Sequence, residues 1–340
     1  MQKRILSILI ALVAVVAAIW LYHTPEKEYK KISGDTQGTT YNITYEYKKT
    51  GDLQLDIERL LHKFDMSLST YIPQSIISRI NLNDETVVAD KLFTRVFNEA
   101  KTVNKNTGGA FDITVAPIIN ALGFGFTPAQ SVDSATIDSL LQFVGMDKVK
   151  IENGRVIKES PNIMLDVNAI AQGYSVDVVA GFLDKKRVAN YLVEIGGELK
   201  AKGVNPKGES WKIGIDRPEE GNMKAGEKLQ AIVAVNNRSL ATSGNYRKFY
   251  EKGGVKYAHS ISPKTGYPVL SRLLSATVMA EECITADAYA TAFMVMGLER
   301  SIEFLGGHPE LDAYLIYSDD AGSFKVYTTK GMKPNIVEEL

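Results

Sequence analysis

Thr285-Ala-Asp-Ala-Tyr-Ala-Thr291-Ala-Phe-Met-Val-Met-Gly297 is the stretch on which the reading of this chain turns. It holds no Lys, Arg or His, is rich in Ala and Met, and is bracketed by a candidate N-cap, Thr285, and a candidate stop, Gly297. The pattern predicts a helix. Apolar residues cover most of its faces, which points to burial. Asp287 and Thr291 stand four apart, so a carboxylate and a hydroxyl project from one face about a turn from each other. No cation in the segment pairs with the acid. A buried, unpaired carboxylate is unfavourable, so Asp287 has to meet a charge, several donors or a metal ion from elsewhere in the chain. Two readings stay open. Carboxylate and hydroxyl oxygens suit Mg2+, a hard cation that takes few protein ligands and shares the rest with water and phosphate. Alternatively, Asp287 sits in the first turn at the positive end of the helix dipole, while Thr291 bonds back to a carbonyl.

Outside that stretch the composition is that of a globular protein. The chain has 340 residues, 45% of them hydrophobic, with 39 Lys+Arg against 40 Asp+Glu and a formal net charge of -1. That balance, with no basic run, argues against a nucleic-acid partner. Cys283 is the only cysteine, which excludes an internal disulfide, a cysteine zinc site and a CxxC redox pair. His23, His62, His259 and His308 are too scattered to suggest a histidine metal cluster. Residues 1–22 stand apart: Lys3-Arg4, then an apolar run from Ile5 to Tyr22 interrupted only by Ser7. The run is just long enough to span a bilayer and long for a signal peptide. With Lys3 and Arg4 inside, it reads as an inner-membrane anchor holding the body on the periplasmic side. Val16-Ala17-Ala18 is a weak cleavage site, so an uncleaved anchor is preferred to a removed signal. Residues 23–31 read as a tether and 32–340 as one domain.

Along that domain, Gln37-Gly38-Thr39 opens a strand through Tyr47, rich in β-branched and aromatic residues. Leu53, Leu55, Ile57, Leu60, Leu61 and Phe64 mark an amphipathic helix over 53–66. Leu68 to Asn81 is a polar turn running into a short helix, and its Tyr71 is a core ring or a stacking surface, the core being preferred. A helix over 89–106 is broken by Thr107-Gly108-Gly109. Asp112, in Ala110-Phe111-Asp112, either caps the turn or holds the polar edge of a ligand. A short helix over 134–145 and a hairpin over 147–159, turning at Asn153-Gly154, precede an apolar strand into Asp166. From Leu165 to Asp177 that strand joins a helix whose N-terminus favours phosphate, without the G-x-G-x-x-G or P-loop pattern. Strands follow at Tyr191 to Glu198, Trp211 to Asp216 and Leu229 to Val235. His259, between strand residues and the Pro/Gly turn ending at Pro268, is a candidate general base or a surface loop histidine. A strand from Ser275 feeds the Asp287 helix. Helix 298–305, strands near 312–317 and 324–328, and a polar tail complete the chain.

Eight of these segments fall in one order: Gln37-Gly-Thr39, Ser69-Thr-Tyr71 with Ser78-Arg-Ile-Asn81, Gly109-Ala-Phe-Asp112, Leu165-Asp166 to Gly173-Tyr174, Glu194-Ile-Gly-Gly197, Thr242-Ser-Gly244, His259 to Pro268, and Ala286-Asp287-Ala to Thr291. In that order they resemble the ApbE family, the FAD:protein FMN transferases, over roughly residues 32–330. The resemblance implies an α+β body of two lobes, with mixed β-sheets flanked by helices and FAD in the central cleft. It implies Mg2+ held by the Asp287 and Thr291 side chains and the Ala169 carbonyl, and FAD contacts at Gln37, Tyr71, Ala110, Phe111, Asp112, Asp166, Gln172 and Ile261. Gln37 stands where methionine is usual, Ile113 where proline follows Phe-Asp, Asn168 in place of glycine, Gln172 in place of lysine and Ser262 in place of aspartate. Gln172 matters most, because it removes a positive charge near the pyrophosphate. The implied reaction is attack by a Thr/Ser hydroxyl of a target flavoprotein on the FMN-side phosphorus of FAD, releasing AMP, with His259 taking the proton. The expected target is a membrane-linked flavoprotein subunit or a secreted reductase. A FAD pyrophosphatase and a non-catalytic extracytoplasmic flavin carrier are the alternatives.

Overall fold

The computed structural model describes residues 28–47, 52–123, 133–219, 221–222, 226–245, 249–252, 255–258 and 260–340. The expected anchor (1–22), the tether up to residue 27 and His259 lie outside the described residues. No helix among the described residues is long and apolar enough to cross a membrane.

The β-branched and aromatic alternation at the start forms a hairpin, β1 (Tyr29–Thr36) and β2 (Thr39–Glu46). Its turn residues, Gln37 (φ 52°) and Gly38 (φ 72°), are both left-handed, as a tight hairpin with native twist requires. The first strand begins at Tyr29, inside the stretch read as a tether. Helices α1 (Gln54–Leu68), α2 (Ile76–Asn81), α3 (Lys91–Asn106), α4 (Ala116–Ala121) and α5 (Ser134–Leu141) follow. The hairpin of β3 (Val149–Glu152) and β4 (Arg155–Lys158) turns at Asn153-Gly154 as expected. Then come α6 (Ala171–Lys185), β5 (Tyr191–Ile195), β6 (Glu198–Lys202), β7 (Trp211–Asp216), β8 (Leu229–Val235) and β9 (Arg238–Gly244). Last are β10 (Phe249–Lys252), β11 (Val255–Ala258), β12 (Leu273–Ala280), α7 (Cys283–Met296), α8 (Leu298–Gly306), β13 (Asp312–Ser318), β14 (Phe324–Thr328) and β15 (Ile336–Glu339).

Eight strands pair in the order β1-β2-β5-β6-β9-β12-β13-β14, every pair antiparallel. Period-two alternation sends their side chains to two layers. On one face Tyr41, Ile43, Val193 and Ile195 pack against Ile57 and Leu61 of α1 and Val176 and Val179 of α6. Further along that face Ala276, Val278, Ala313 and Leu315 pack under Ile284, Ala288 and Phe293 of α7. On the other face Leu199, Leu240, Met279 and Tyr314 meet Trp211, Ile215 and Val233 of a three-stranded sheet, β15-β8-β7. Each fully buried aliphatic or aromatic side chain contributes about 1.5–3 kcal/mol through burial, so α7, apolar all round, is fixed in place by its surroundings. The polar tail is therefore not a free end: β15 pairs with β8 and extends the small sheet.

Two local expectations differ from the structure. Residues 163–166 form no strand. The Asn81 amide takes both backbone groups of Leu165, donating to its carbonyl at 2.9 Å and accepting from its N–H at 2.8 Å, so no sheet ladder is left for that residue. And Thr285 is not the N-cap of the Asp287 helix. The helix starts at Cys283 after Glu282, and the Thr285 hydroxyl donates instead to Glu99 Oε1 at 2.7 Å. Gly297 ends the helix as its sequence implied.

Candidate active site

Two helix N-termini meet, those of α6 and α7. Gly173, in the first turn of α6, lies so close to α7 that a Cβ there would overlap the Cys283 carbonyl and come within 2.7 Å of the Asp287 Cβ. Only glycine permits that approach. Each helix then supplies the other with an acceptor. The Gly173 N–H donates to Asp287 Oδ2 at 2.9 Å, and the Ile284 N–H at the start of α7 donates to Asp177 Oδ2 at 2.8 Å. Asp177 has a second partner, Lys200 Nζ, at 3.2 Å. Asp287 has no such cation among the described residues. Burial pushes its carboxyl up to about 7, against the opposing pull of the Gly173 N–H.

The arrangement separates the two readings of Asp287 and Thr291. Asp287 is the fifth residue of α7, beyond its first turn, so it does not cap its own helix. Thr291 does not bond back along the helix either. Its hydroxyl lies 3.0 Å from the Ser243 hydroxyl at the end of β9. Gly173 lies in the first turn of α6, where N–H groups have no acceptor within the helix; its N–H goes to Asp287, and no backbone N–H donates to the Ala169 carbonyl, which precedes the helix, among the described residues. No group of three or more His, Cys, Asp or Glu side chains among the described residues could hold a metal ion. A lone carboxylate lacking a cation, a hydroxyl and an unclaimed carbonyl are hard oxygen donors, few in number, and fit Mg2+ rather than a site built from imidazole or thiolate.

The residues expected to touch FAD fall into two groups joined by the segment 166–172. Asp166 donates its backbone N–H to the Ile113 carbonyl at 2.7 Å, which ties it to the 110–112 loop. Its carboxylate accepts from the Asn168 backbone at 2.7 Å and the Asn168 amide at 3.2 Å, while desolvation raises its pKa. Asp112 caps a 3-10 turn: Oδ1 accepts the Thr114 N–H at 2.8 Å and the Thr114 hydroxyl, and Oδ2 accepts from Asn104 and the Met146 N–H, both at 3.2 Å. Burial raises its pKa and these donors oppose the rise. Ala110 and Phe111 are buried, as is Ile261, which packs with Val115, Ile118 and Ile137. The Lys264 stem lies over Gly109, its Cε 3.7 Å from where a Cβ would be, so the 262–266 turn meets the same loop.

The second group surrounds the β1–β2 turn. The Ser175 hydroxyl lies 3.4 Å from Gln37 Oε1 and 2.7 Å from the Gln172 carbonyl. The Gln172 amide lies against Gly196, leaving no room there for a side chain, and the Thr39 methyl approaches from the other side. An open hollow lined by residues 35–40 adjoins this turn. Tyr71 departs from the preferred expectation of a core ring: it is 69% exposed, in a turn after α1. That turn is anchored by the Ser75 hydroxyl, which caps α2 and donates to the Ser69 carbonyl at 2.6 Å. Gly173, Asp177 and Ser243 escaped the sequence reading as site residues. Ser243 carried a signal in its Thr-Ser-Gly segment, whereas the Asp177 contact joins residues 107 apart and leaves no local trace.

The structure is an antiparallel α+β body in which a buried carboxylate lies where two helix N-termini meet. The profile of the ApbE family matches residues 37–315, and the chain belongs to that family. The FAD:protein FMN transferase of Vibrio cholerae is 37% identical over 317 residues, covering 90% of this chain and 92% of its own. That of Haemophilus influenzae is 35% identical over 342 residues, covering 94% and 95%. The solved flavin transferase ApbE from Vibrio cholerae aligns with a TM-score of 0.82 at 36% identity, over 91% of this chain and 99% of its own. Pseudomonas stutzeri flavinyl transferase ApbE in its apo form gives 0.82 at 29%, over 92% and 98%.

Proposed function

We propose that this chain is an Mg2+-dependent FAD:protein FMN transferase, moving FMN from FAD onto a Thr/Ser hydroxyl of a target flavoprotein and releasing AMP. Membership of the family supports the transfer activity. The single structural observation behind the Mg2+ dependence is Asp287: a buried carboxylate with, among the described residues, one N–H donor and no cation, on the same helix face as the Thr291 hydroxyl.

Asp287, Thr291 and the Ala169 carbonyl would hold the ion, which supplies charge neutralisation at phosphate oxygens. The remaining work belongs to the chain. The N-terminus of α6, where Gly173 donates to Asp287, would turn the positive end of the helix dipole toward an anionic ligand. Asp166 and the Asp112 loop, tied together through Ile113, hold one end of the dinucleotide, and the Gln37–Gln172 corner holds the other. In the transfer the acceptor oxygen forms a bond to the FMN-side phosphorus and the pyrophosphate P–O bond breaks. The electron pair leaves on AMP, and the hydroxyl proton passes to a base, for which His259 is the candidate. The target is a flavoprotein with a Thr/Ser acceptor segment, in a membrane redox complex or a secreted reductase. Lys3-Arg4 and the apolar run after them support a body on the periplasmic side of the inner membrane, held by an uncleaved anchor or released to the periplasm if the segment is cleaved.

Incubating the chain with FAD, Mg2+ and a candidate acceptor domain, then measuring acceptor mass and free AMP together, tests the reading. An acceptor heavier by one FMN residue, lost when its threonine is changed to alanine, is the expected result. FMN and AMP released beside an unmodified acceptor would indicate a pyrophosphatase, and intact bound FAD a carrier.

A further inference from the structure

A threonine inside a helix can return its hydroxyl to the carbonyl four residues back. Thr94 does so to Asp90 at 2.7 Å and Thr102 to Asn98 at 3.0 Å, both on α3. Thr291 is different: its hydroxyl reaches across to Ser243 on the sheet, at 3.0 Å. Ser243 is held at a rigid position. It opposes Ala276 of β12, and the strand end beyond it is tied by the Asn245 N–H to the Leu274 carbonyl at 3.1 Å and by the Asn245 amide to Leu273 at 3.2 Å. Strand alternation sends Thr242 to the opposite face, where its hydroxyl pairs with Thr277 at 2.9 Å. Ser243 is thus the residue by which β9 addresses the polar face of α7.

We propose that Ser243 is a positioning residue for the cation site: its hydroxyl fixes the rotation of the Thr291 hydroxyl, and so which lone pair of Thr291 is offered to Mg2+. The inference rests on the Mg2+ reading of Asp287 and Thr291. A hydroxyl has one proton and two lone pairs. A cation repels the proton, so the ligand is strongest when that proton is directed away from the ion; in the proposed site Thr291 donates it to Ser243 Oγ, one of the two directions that the 3.0 Å contact permits. Groups that orient a metal ligand typically change affinity by about 10–100-fold when removed.

The test is Mg2+ titration by calorimetry with no FAD present, on the unaltered chain and on Ser243→Ala, with the Mg2+-induced rise in Tm as a second readout. The expected outcome is a Kd about tenfold weaker in Ser243→Ala, a KM for Mg2+ raised by the same factor, and recovery in Ser243→Thr, which keeps the hydroxyl. In a Thr291→Val background the Ser243→Ala change should add no further loss, because the effect travels through Thr291. If Ser243→Ala fails to fold, Ser243→Cys carries the same comparison with a weaker hydrogen-bonding group. A Kd in Ser243→Ala within twofold of the unaltered chain, with only the metal-free Tm lowered, overturns the proposal and makes Ser243 a packing residue. No Mg2+ binding by the unaltered chain overturns the Mg2+ reading itself, and the proposal with it.

Discussion

Asp112 and Asp287 are both aspartates that burial pushes above the usual carboxylate range, yet their surroundings treat them differently. Asp112 is saturated: four donors from Thr114, Asn104 and Met146 occupy both oxygens and knit three segments of chain together. Asp287 has one donor, the Gly173 N–H, in a helix without a cation. A saturated carboxylate belongs to the fold; one held at a helix N-terminus with capacity to spare is prepared for a ligand that brings positive charge. In the proposed function, the contrast gives Asp112 chiefly the shaping of the 110–114 loop and Asp287 the cation.

The comparison breaks most visibly under substitution at Asp287. Asp287→Asn keeps an acceptor for Gly173 but removes the charge. A cation supplies several kcal/mol of charge stabilisation, so FMN transfer should fall on the order of 10³-fold, while the melting temperature without metal holds or rises. Acceptor mass against time reads the first and calorimetry the second; full Mg2+-dependent transfer by Asp287→Asn would return Asp287 to a structural role. The same residue predicts a pH dependence. Its carboxyl titrates near 7 when folded, against an ordinary value of 3.8. Between those values the folded state holds a proton that the unfolded state has lost, so metal-free stability falls as pH rises through that window and levels off above 7. Relative to Asp287→Asn, the unaltered chain should lose up to about 4 kcal/mol between pH 4 and 8. Added Mg2+ should restore more at pH 8 than at pH 5. Urea unfolding of both proteins in EDTA measures the gap; a gap independent of pH contradicts the burial argument.

Asp112→Ala sharpens the other half. It leaves the Thr114 and Met146 N–H groups without their acceptor, at about 1–3 kcal/mol for each orphaned buried donor. The expectation is a loss of about 3 kcal/mol in urea unfolding, with Mg2+ affinity little changed. A weakened Mg2+ Kd with normal stability would reverse the assignment.

What was legible in the sequence follows the range of the interactions. The helix around Asp287 was readable because its all-apolar faces and terminal Gly297 are local signals, and the β3–β4 hairpin because Asn153-Gly154 specifies its own turn. The start of α7 was misplaced because the group that satisfies its first turn is Asp177, on another helix, whereas Thr285 only mimics a cap. Residue type favours the core over a stacking surface for Tyr71, but the turn held by Ser69 and Ser75 leaves it exposed. The donors around Asp112 from Thr114 were within reach of a local reading; those from Asn104 and Met146 required the fold. The role of Ser243 depends on which face of a strand meets α7, which a single segment does not reveal.

The apolar run before Asp166 offers the mildest and most discriminating change. Its apolar residues suggest a strand, but Asn81 occupies both backbone groups of Leu165 and holds it as an extended loop. That side chain is therefore a clamp from the α2 segment onto the residue preceding Asp166. Asn81→Ala removes two hydrogen bonds at a partly buried site, about 1–2 kcal/mol in all. The loss should concentrate in FAD binding, because the clamped segment carries Asp166 and is tied through Ile113 to the Asp112 loop. A roughly tenfold weaker FAD Kd, read by flavin fluorescence, with Mg2+ affinity nearly intact would separate the dinucleotide half of the site from its cation half. Equal losses of both would mean that the 166–172 segment moves as one piece, and that the contrast between the two aspartates is one of chemistry within a single mechanical unit.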